Sequence, residues 1–206
     1  MKVKICGLRT EEAVLAAEDA GADFLGFIFY EKSHRHVLPE EVRGLTKHVQ
    51  RAKTVGVFVD APLDEVNAAA DFCSLDFVQL HGHESAAYAR AVCRPVIKAF
   101  RWGDDFSVEK ANEYPAEIIL LDSFSKDAVG GTGQRFRWRE AAEETARLEK
   151  PLLVAGGIAS GNVREAEEVF RPYGVDVSGS LEIEKRKSVE RIRAFMAVVQ
   201  KRRIPE

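Results

Sequence analysis

A chain of 206 residues, 46% hydrophobic and 31% charged, has the composition of an ordinary soluble globular protein and the length of one domain, expected here over 1–206. Such a chain buries roughly 70% of its unfolded surface, so its fold requires neither disulfides nor a structural metal. Thirty Lys+Arg against thirty-three Asp+Glu, with the signs mixed, argue against a nucleic-acid partner, and no stretch approaches 18 uninterrupted apolar residues, which argues against a membrane span.

The chain opens on an apolar run, Val3 to Cys6, that passes at once into a polar helical pattern, so no secretory leader is expected. Thr10-Glu11-Glu12-Ala13 reads as a capped helix start and Gly21 as its end. Further short runs rich in β-branched or aromatic residues follow at Phe24 to Phe29, Thr54 to Val59, Phe77 to Leu80 and Val96 to Phe100. The last three are Glu117 to Asp122, Leu152 to Ala155 and Val175 to Ser178. Between them lie helical stretches. Pro39-Glu40-Glu41 and Pro62-Leu63-Asp64-Glu65 place proline and acids in first turns, while the fifth helix, around Phe106 to Glu113, has the weakest pattern. The basic tail Lys201, Arg202, Arg203 closes an amphipathic run and suits a helix C-terminus.

Strict alternation of strand and helix predicts a parallel sheet, open or closed. Eight units, with no Gly-x-Gly-x-x-Gly turn after the first strand, favour a (β/α)8 TIM barrel of eight parallel strands over a dinucleotide-binding fold. In such barrels the active site lies at the C-terminal strand ends. Those ends carry Cys6-Gly7, then Ser33-His34-Arg35-His36 after strand two, Gln79-Leu80-His81-Gly82 and Asp122-Ser123. The last two carry Ala155-Gly156-Gly157-Ile158 and Ser178-Gly179-Ser180.

Loops after strands seven and eight commonly build a phosphate site from backbone amides, so Gly156, Gly157, Ser178, Gly179 and Ser180 are the candidate phosphate residues, with the two serine hydroxyls as added donors. Taken alone, Gly-Gly is equally a tight turn. Alternation points Lys4 and Cys6 into the barrel and Val3 and Ile5 outward. A thiol is only a few per cent thiolate at neutral pH, so Cys6 as a base requires surroundings that stabilise its anion. Asp122 ends the apolar run Ile118 to Leu121, at the rim of a desolvated interior that favours the neutral, proton-donating acid. Arg35, in a polar loop, is either simply solvated or a bidentate carboxylate anchor. Gln79, His81 and Asp176 are candidate pocket-lining residues, and Asp176 on the adjoining strand is the candidate partner of Lys4. His34, His36, His81 and His83 lack metal-ligand spacing. Cys6, Cys73 and Cys93, odd in number and without Cys-x-x-Cys, argue against zinc and disulfides and for reduced thiols in the cytoplasm.

Over nearly its whole length the chain resembles the phosphoribosylanthranilate isomerase family. The resemblance is carried by Lys4-Ile5-Cys6-Gly7-Leu8, Ser33-His34-Arg35-His36-Val37, Val55-Gly56-Val57-Phe58, Gln79-Leu80-His81-Gly82, Leu120-Leu121-Asp122-Ser123, Gly130-Gly131-Thr132-Gly133 and Ala155-Gly156-Gly157-Ile158. It implies an Amadori rearrangement in tryptophan biosynthesis, with Cys6 as general base, Asp122 as general acid and Arg35 on the anthranilate carboxylate. It further implies a small phosphorylated substrate, no metal or organic cofactor, and a monomer or homodimer. Gly130 to Gly133, in the long loop after strand six, would be a mobile cover. The family usually reads Ser-Ser-Gly after strand eight. Here glycine has moved to the middle, so Ser180 is expected to take a backbone position that favours glycine.

A ribulose-phosphate epimerase needs His and Asp metal ligands at several strand ends, and a histidine-pathway aminoaldose isomerase needs aspartates where this chain has Cys6 and Ala99-Phe100. A barrel retained only as a scaffold or ligand sensor is opposed by the presence of Cys6, Asp122 and Arg35 together.

Overall fold

In the computed structural model, which describes residues 1–103, 106–122 and 133–201 (133–137 as backbone only), every apolar run becomes a strand, with bounds within one residue of those expected. The strands are β1 (Lys2–Cys6), β2 (Phe24–Ile28), β3 (Lys53–Phe58), β4 (Phe77–Leu80), β5 (Val96–Arg101), β6 (Ile118–Asp122), β7 (Leu152–Ala155) and β8 (Gly174–Val177). All pair in parallel in sequence order, and β8 returns to β1, closing the barrel.

The helices between them are α1 (Glu11–Asp19), α2 (Pro39–Thr46), α3 (Leu63–Phe72), α4 (Ala86–Arg90), α5 (Val108–Glu113), α6 (Gly133–Thr145), α7 (Val163–Phe170) and α8 (Val189–Gln200). The start of α1 follows its sequence: the Thr10 hydroxyl accepts the Ala13 N–H at 3.3 Å. Gly21 follows α1 at φ +79°, a conformation natural to glycine. Helix α5 begins two residues later than expected because Ser107 caps it, accepting the Lys110 N–H at 3.2 Å. After β8 the chain makes a 3₁₀ turn, Gly179–Leu181, and a small antiparallel hairpin of β9 (Glu182–Ile183) and β10 (Arg186–Lys187) before α8.

Val3, Ile5, Leu25 and Phe27 face outward into the core shared with the helices. Inward residues form a separate cluster that includes Phe24, Val55, Ile97, Ile118, Leu120 and Leu153. The registers bring inward residues of alternate strands level, as expected of an eight-stranded barrel with a shear of eight. Upward from the N-terminal end, Phe24, Phe77, Ile118 and Gly174 form an apolar floor. Lys4 shares the next layer with Val55, Ile97 and Leu153, and above it lie Gly26, Gln79, Leu120 and Asp176. Cys6, Val57, Ala99 and Ala155 follow, and Ile28, His81, Asp122 and Ser178 ring the mouth. Polarity therefore rises toward the C-terminal face, where the candidate chemistry sits.

One buried ion pair escaped the sequence reading. Lys98, outward-facing on β5, donates to the Glu84 carboxylate at 2.8 Å and to the Gly82 carbonyl at 2.6 Å. Glu84 also accepts the Asp60 and Gly82 N–H groups. The pair thus fastens the loop after β4, just beyond His81, to the neighbouring strand.

Candidate active site

The candidate catalytic, carboxylate-binding, phosphate-binding and pocket-lining residues line one cavity of about 580 Å³ at the barrel mouth: Cys6, Arg35, Gln79, His81, Asp122, Gly156, Gly157, Asp176, Ser178, Gly179 and Ser180. Ile28, Val57 and Val59 add an apolar wall, with Tyr30 beside it. Such a mixture, a mostly apolar lining with a few convergent polar groups, suits a small aromatic and anionic molecule.

Strand β1 delivers Cys6, which is buried at 5% exposure. Burial pushes its thiol up, and the Lys4 ammonium only partly opposes this. Lys4 is itself fully buried and donates to Asp176 Oδ1 at 3.0 Å, the pairing anticipated from the strand pattern. Burial alone would lower the Lys4 pKa, but the carboxylate of Asp176 and then the Cys6 sulfur hold it above its ordinary value.

At the end of β6, Asp122 faces His81, with Nε2 to Oδ2 at 3.9 Å. The Gln79 amide nitrogen lies 2.9 Å from His81 Nδ1. With the Gln79 amide N–H donating to it, Nδ1 is an acceptor, and this arrangement selects the tautomer whose ring proton is on Nε2, the side toward Asp122. Burial pushes the His81 pKa down, against the pull of Asp122, and keeps the ring neutral. Gln79 Oε1 is buried and, among the described residues, is the side-chain acceptor left without a partner.

Arg35 is neither solvated nor free. Its Nε and Nη2 grip Glu182 at 2.5 and 2.9 Å, and Lys187 donates to the same carboxylate at 2.6 Å. Burial would raise the Glu182 pKa, but the hydrogen bonds from Arg35 and Lys187 hold it at about 2. The same pairing raises Arg35 further, whereas burial lowers Lys187. Gly7, at φ +80°, makes room for this arrangement: a Cβ there would lie 2.5 Å from Arg35 Cδ. Sequence reasoning missed Glu182 and Lys187. They sit in a hairpin whose turn, Glu184 at φ 48° and Lys185 at φ 62°, is built without the glycine or asparagine that would have marked it.

Gly156 and Gly157 both adopt positive φ, 84° and 72°, as a backbone that wraps an anion requires. After β8 the expectation for Ser180 is corrected. Neither Ser178, Gly179 nor Ser180 is at positive φ, so moving glycine one place introduces no backbone strain. The two hydroxyls are engaged elsewhere, Ser178 donating to the Cys6 carbonyl at 2.8 Å and Ser180 to the Ile158 carbonyl at 2.6 Å.

Gly130, Gly131 and Thr132 of the expected cover lie outside the described residues, as do Ser123, Arg202 and Arg203, while Gly133 opens α6. Among the described residues no group of three His, Cys, Asp or Glu is placed to hold a metal ion, and no helix is long and apolar enough to cross a membrane.

The model of the N-(5'phosphoribosyl)anthranilate (PRA) isomerase family matches residues 3–198. A relative named N-(5'-phosphoribosyl)anthranilate isomerase from a Geobacter species is 46% identical over 205 residues, 97% of this chain and 98% of that one. The crystal structure of phosphoribosyl anthranilate isomerase from Thermotoga maritima superposes with a TM-score of 0.87 at 34% identity, covering 98% of this chain and 99% of the other. A further structure of a phosphoribosyl anthranilate isomerase, in complex with reduced 1-(o-carboxyphenylamino)-1-deoxyribulose 5-phosphate, gives 0.85 at 32% identity with the same coverage. With the family model spanning nearly the whole barrel and relatives matched end to end, the chain belongs to the N-(5'-phosphoribosyl)anthranilate isomerase family.

Proposed function

We propose that this chain catalyses the Amadori rearrangement of N-(5-phosphoribosyl)anthranilate to 1-(2-carboxyphenylamino)-1-deoxyribulose 5-phosphate in tryptophan biosynthesis, with Asp122 as general acid and Cys6 as general base. The observation that carries this reading is the convergence of Cys6, Asp122, Arg35 and the loops after β7 and β8 on one cavity. Three free cysteines are in keeping with a reducing compartment such as the cytoplasm.

In this reading Asp122 gives its proton to the ribose ring oxygen, the ring C1–O bond breaks, and the aromatic nitrogen lone pair forms an iminium. The Cys6 thiolate then takes the proton from C2, whose electrons flow to the iminium and leave an enolamine. Tautomerisation of the enolamine gives the ketone, so no oxidant or reductant is consumed. The His81 Nε2–H, directed toward Asp122, stabilises the carboxylate that remains after proton transfer. Arg35, fixed along one edge by Glu182, offers its remaining N–H groups to the anthranilate carboxylate. The phosphate takes backbone N–H groups around Gly156, Gly157, Gly179 and Ser180, because the serine hydroxyls are already donating elsewhere.

The test is to supply phosphoribosylanthranilate to the purified protein and follow the loss of its anthranilate-type fluorescence. Steady enzymatic loss is expected, and none above the uncatalysed rate would reject the proposed activity.

A further inference from the structure

A lysine whose side chain is fully buried, in a barrel layer otherwise made of Val55, Ile97 and Leu153, is an expensive feature, since an ammonium removed from water has to recover its solvation from the protein. Asp176 supplies part of that recovery at 3.0 Å. If the pair were only a staple between β1 and β8, nothing would need to connect it to the cavity above. Instead the strand beside it carries Gly26, where a Cβ would lie 2.9 Å from Cys6 Sγ and 3.2 Å from Lys4 Nζ. The absent side chain leaves the ammonium and the sulfur flanking the same small space. Gly26 adopts no positive φ, so close approach and not backbone conformation is what selects glycine there.

We propose that Lys4 is a positioning residue for Cys6: its ammonium, held from below by Asp176, is the counter-charge against which the Cys6 thiolate forms. This rests on the reading of Cys6 as the general base. The other charged and titratable groups around Cys6 do not supply the same charge. Arg35, after β2, and Lys187, after β8, share the single Glu182 carboxylate, which offsets one of their two charges, and Lys187 adds a smaller attraction than Lys4 does. Asp176 of β8 repels a thiolate, and His81 and Asp122 stand across the mouth. Among all of these Lys4 contributes the largest attraction. Lys4 keeps its proton throughout catalysis, and the transferred proton moves only between the substrate C2 and the Cys6 sulfur.

Removing the Asp176 charge should make Cys6 easier to ionise, and removing the Lys4 charge should make it harder. In a Cys93→Ser background, iodoacetamide modification of Cys6, read on its peptide by mass spectrometry across pH, reports the thiolate directly. Asp176→Asn should move the midpoint to lower pH. Lys4→Met/Asp176→Asn, which differs from it only in the ammonium and leaves no unpaired carboxylate, should move the midpoint up again by about one pH unit or more. At neutral pH that is roughly a tenfold slower modification. Equal midpoints in these two variants, or a midpoint in Asp176→Asn at or above that of the parent, would overturn the proposal. Cys6→Ala separates this from the underlying reading. An inactive Cys6→Ala beside an unmoved midpoint removes Lys4 and keeps Cys6 as base, whereas a fully active Cys6→Ala removes the base itself.

Discussion

Arg35 and Glu182 form a two-pronged ion pair at the barrel mouth, Nε to Oε1 at 2.5 Å and Nη2 to Oε2 at 2.9 Å. The guanidinium fork is held in one plane before any ligand arrives, and pre-organisation of this kind is worth more to binding than an extra flexible charge. Glu182→Gln keeps the shape and removes the charge. It should raise KM for phosphoribosylanthranilate by about tenfold while changing kcat less, measured by steady-state kinetics. An unchanged KM would show that Arg35 is positioned without its partner.

The same pair makes stability depend on pH. Glu182, held at about 2 when folded and ordinary when unfolded, contributes stability that is complete above its unfolded pKa near 4.5. That contribution is lost as pH falls from about 4.5 to about 2. For a side chain only 9% exposed, at the solvent-open mouth of the barrel, it amounts to a few kcal/mol at most. Urea unfolding of wild type and Glu182→Gln should therefore diverge above pH 5 and converge toward pH 2, and parallel curves across this range would contradict the assignment.

Gly7→Ala combines two penalties, a non-glycine residue at φ +80° and a methyl group 2.5 Å from Arg35 Cδ. A loss of about 1–2 kcal/mol in stability is expected together with a raised KM, since Arg35 has to move. Denaturation and kinetics on the one variant check both parts.

His81 should remain neutral, with its proton on Nε2, through the range in which the protein is active. Nitrogen-15 shifts of the ring report tautomer and charge directly. A ring protonated on Nδ1 would mean that Gln79 does not set its orientation, and one that titrates near its ordinary pKa would mean that burial does not hold it neutral.

The strands were legible because their signal is local: short β-branched and aromatic runs, punctuated by capped helices, fall at regular intervals and end within one residue of the observed bounds. Cys6, Asp122 and Gly156-Gly157 were legible for a related reason, since the barrel places whatever ends a strand at its mouth. The Lys4 to Asp176 pair follows from alternation on two adjacent strands. What stayed hidden depends on pairing at a distance. Glu182 reaches Arg35 across 147 residues from a hairpin with no turn signature, and Glu84 meets Lys98 through a loop whose own sequence is unremarkable.

That second pair carries its own expectation. Removing one partner leaves the other charge buried, so Glu84→Ala should lose about 3–5 kcal/mol in urea unfolding with little change in the slope. A loss under about 1 kcal/mol would place the pair among surface contacts.

In the proposed mechanism Cys6 and Asp122 move the protons, and single substitutions at these two residues test it most directly. Cys6→Ala and Asp122→Asn, assayed at saturating phosphoribosylanthranilate by fluorescence, should each lower kcat by at least about a hundredfold and toward ten-thousandfold. KM should stay within about tenfold, because Arg35 and the phosphate loops are untouched. Either variant retaining kcat within a few-fold of wild type would contradict the assignment of base and acid.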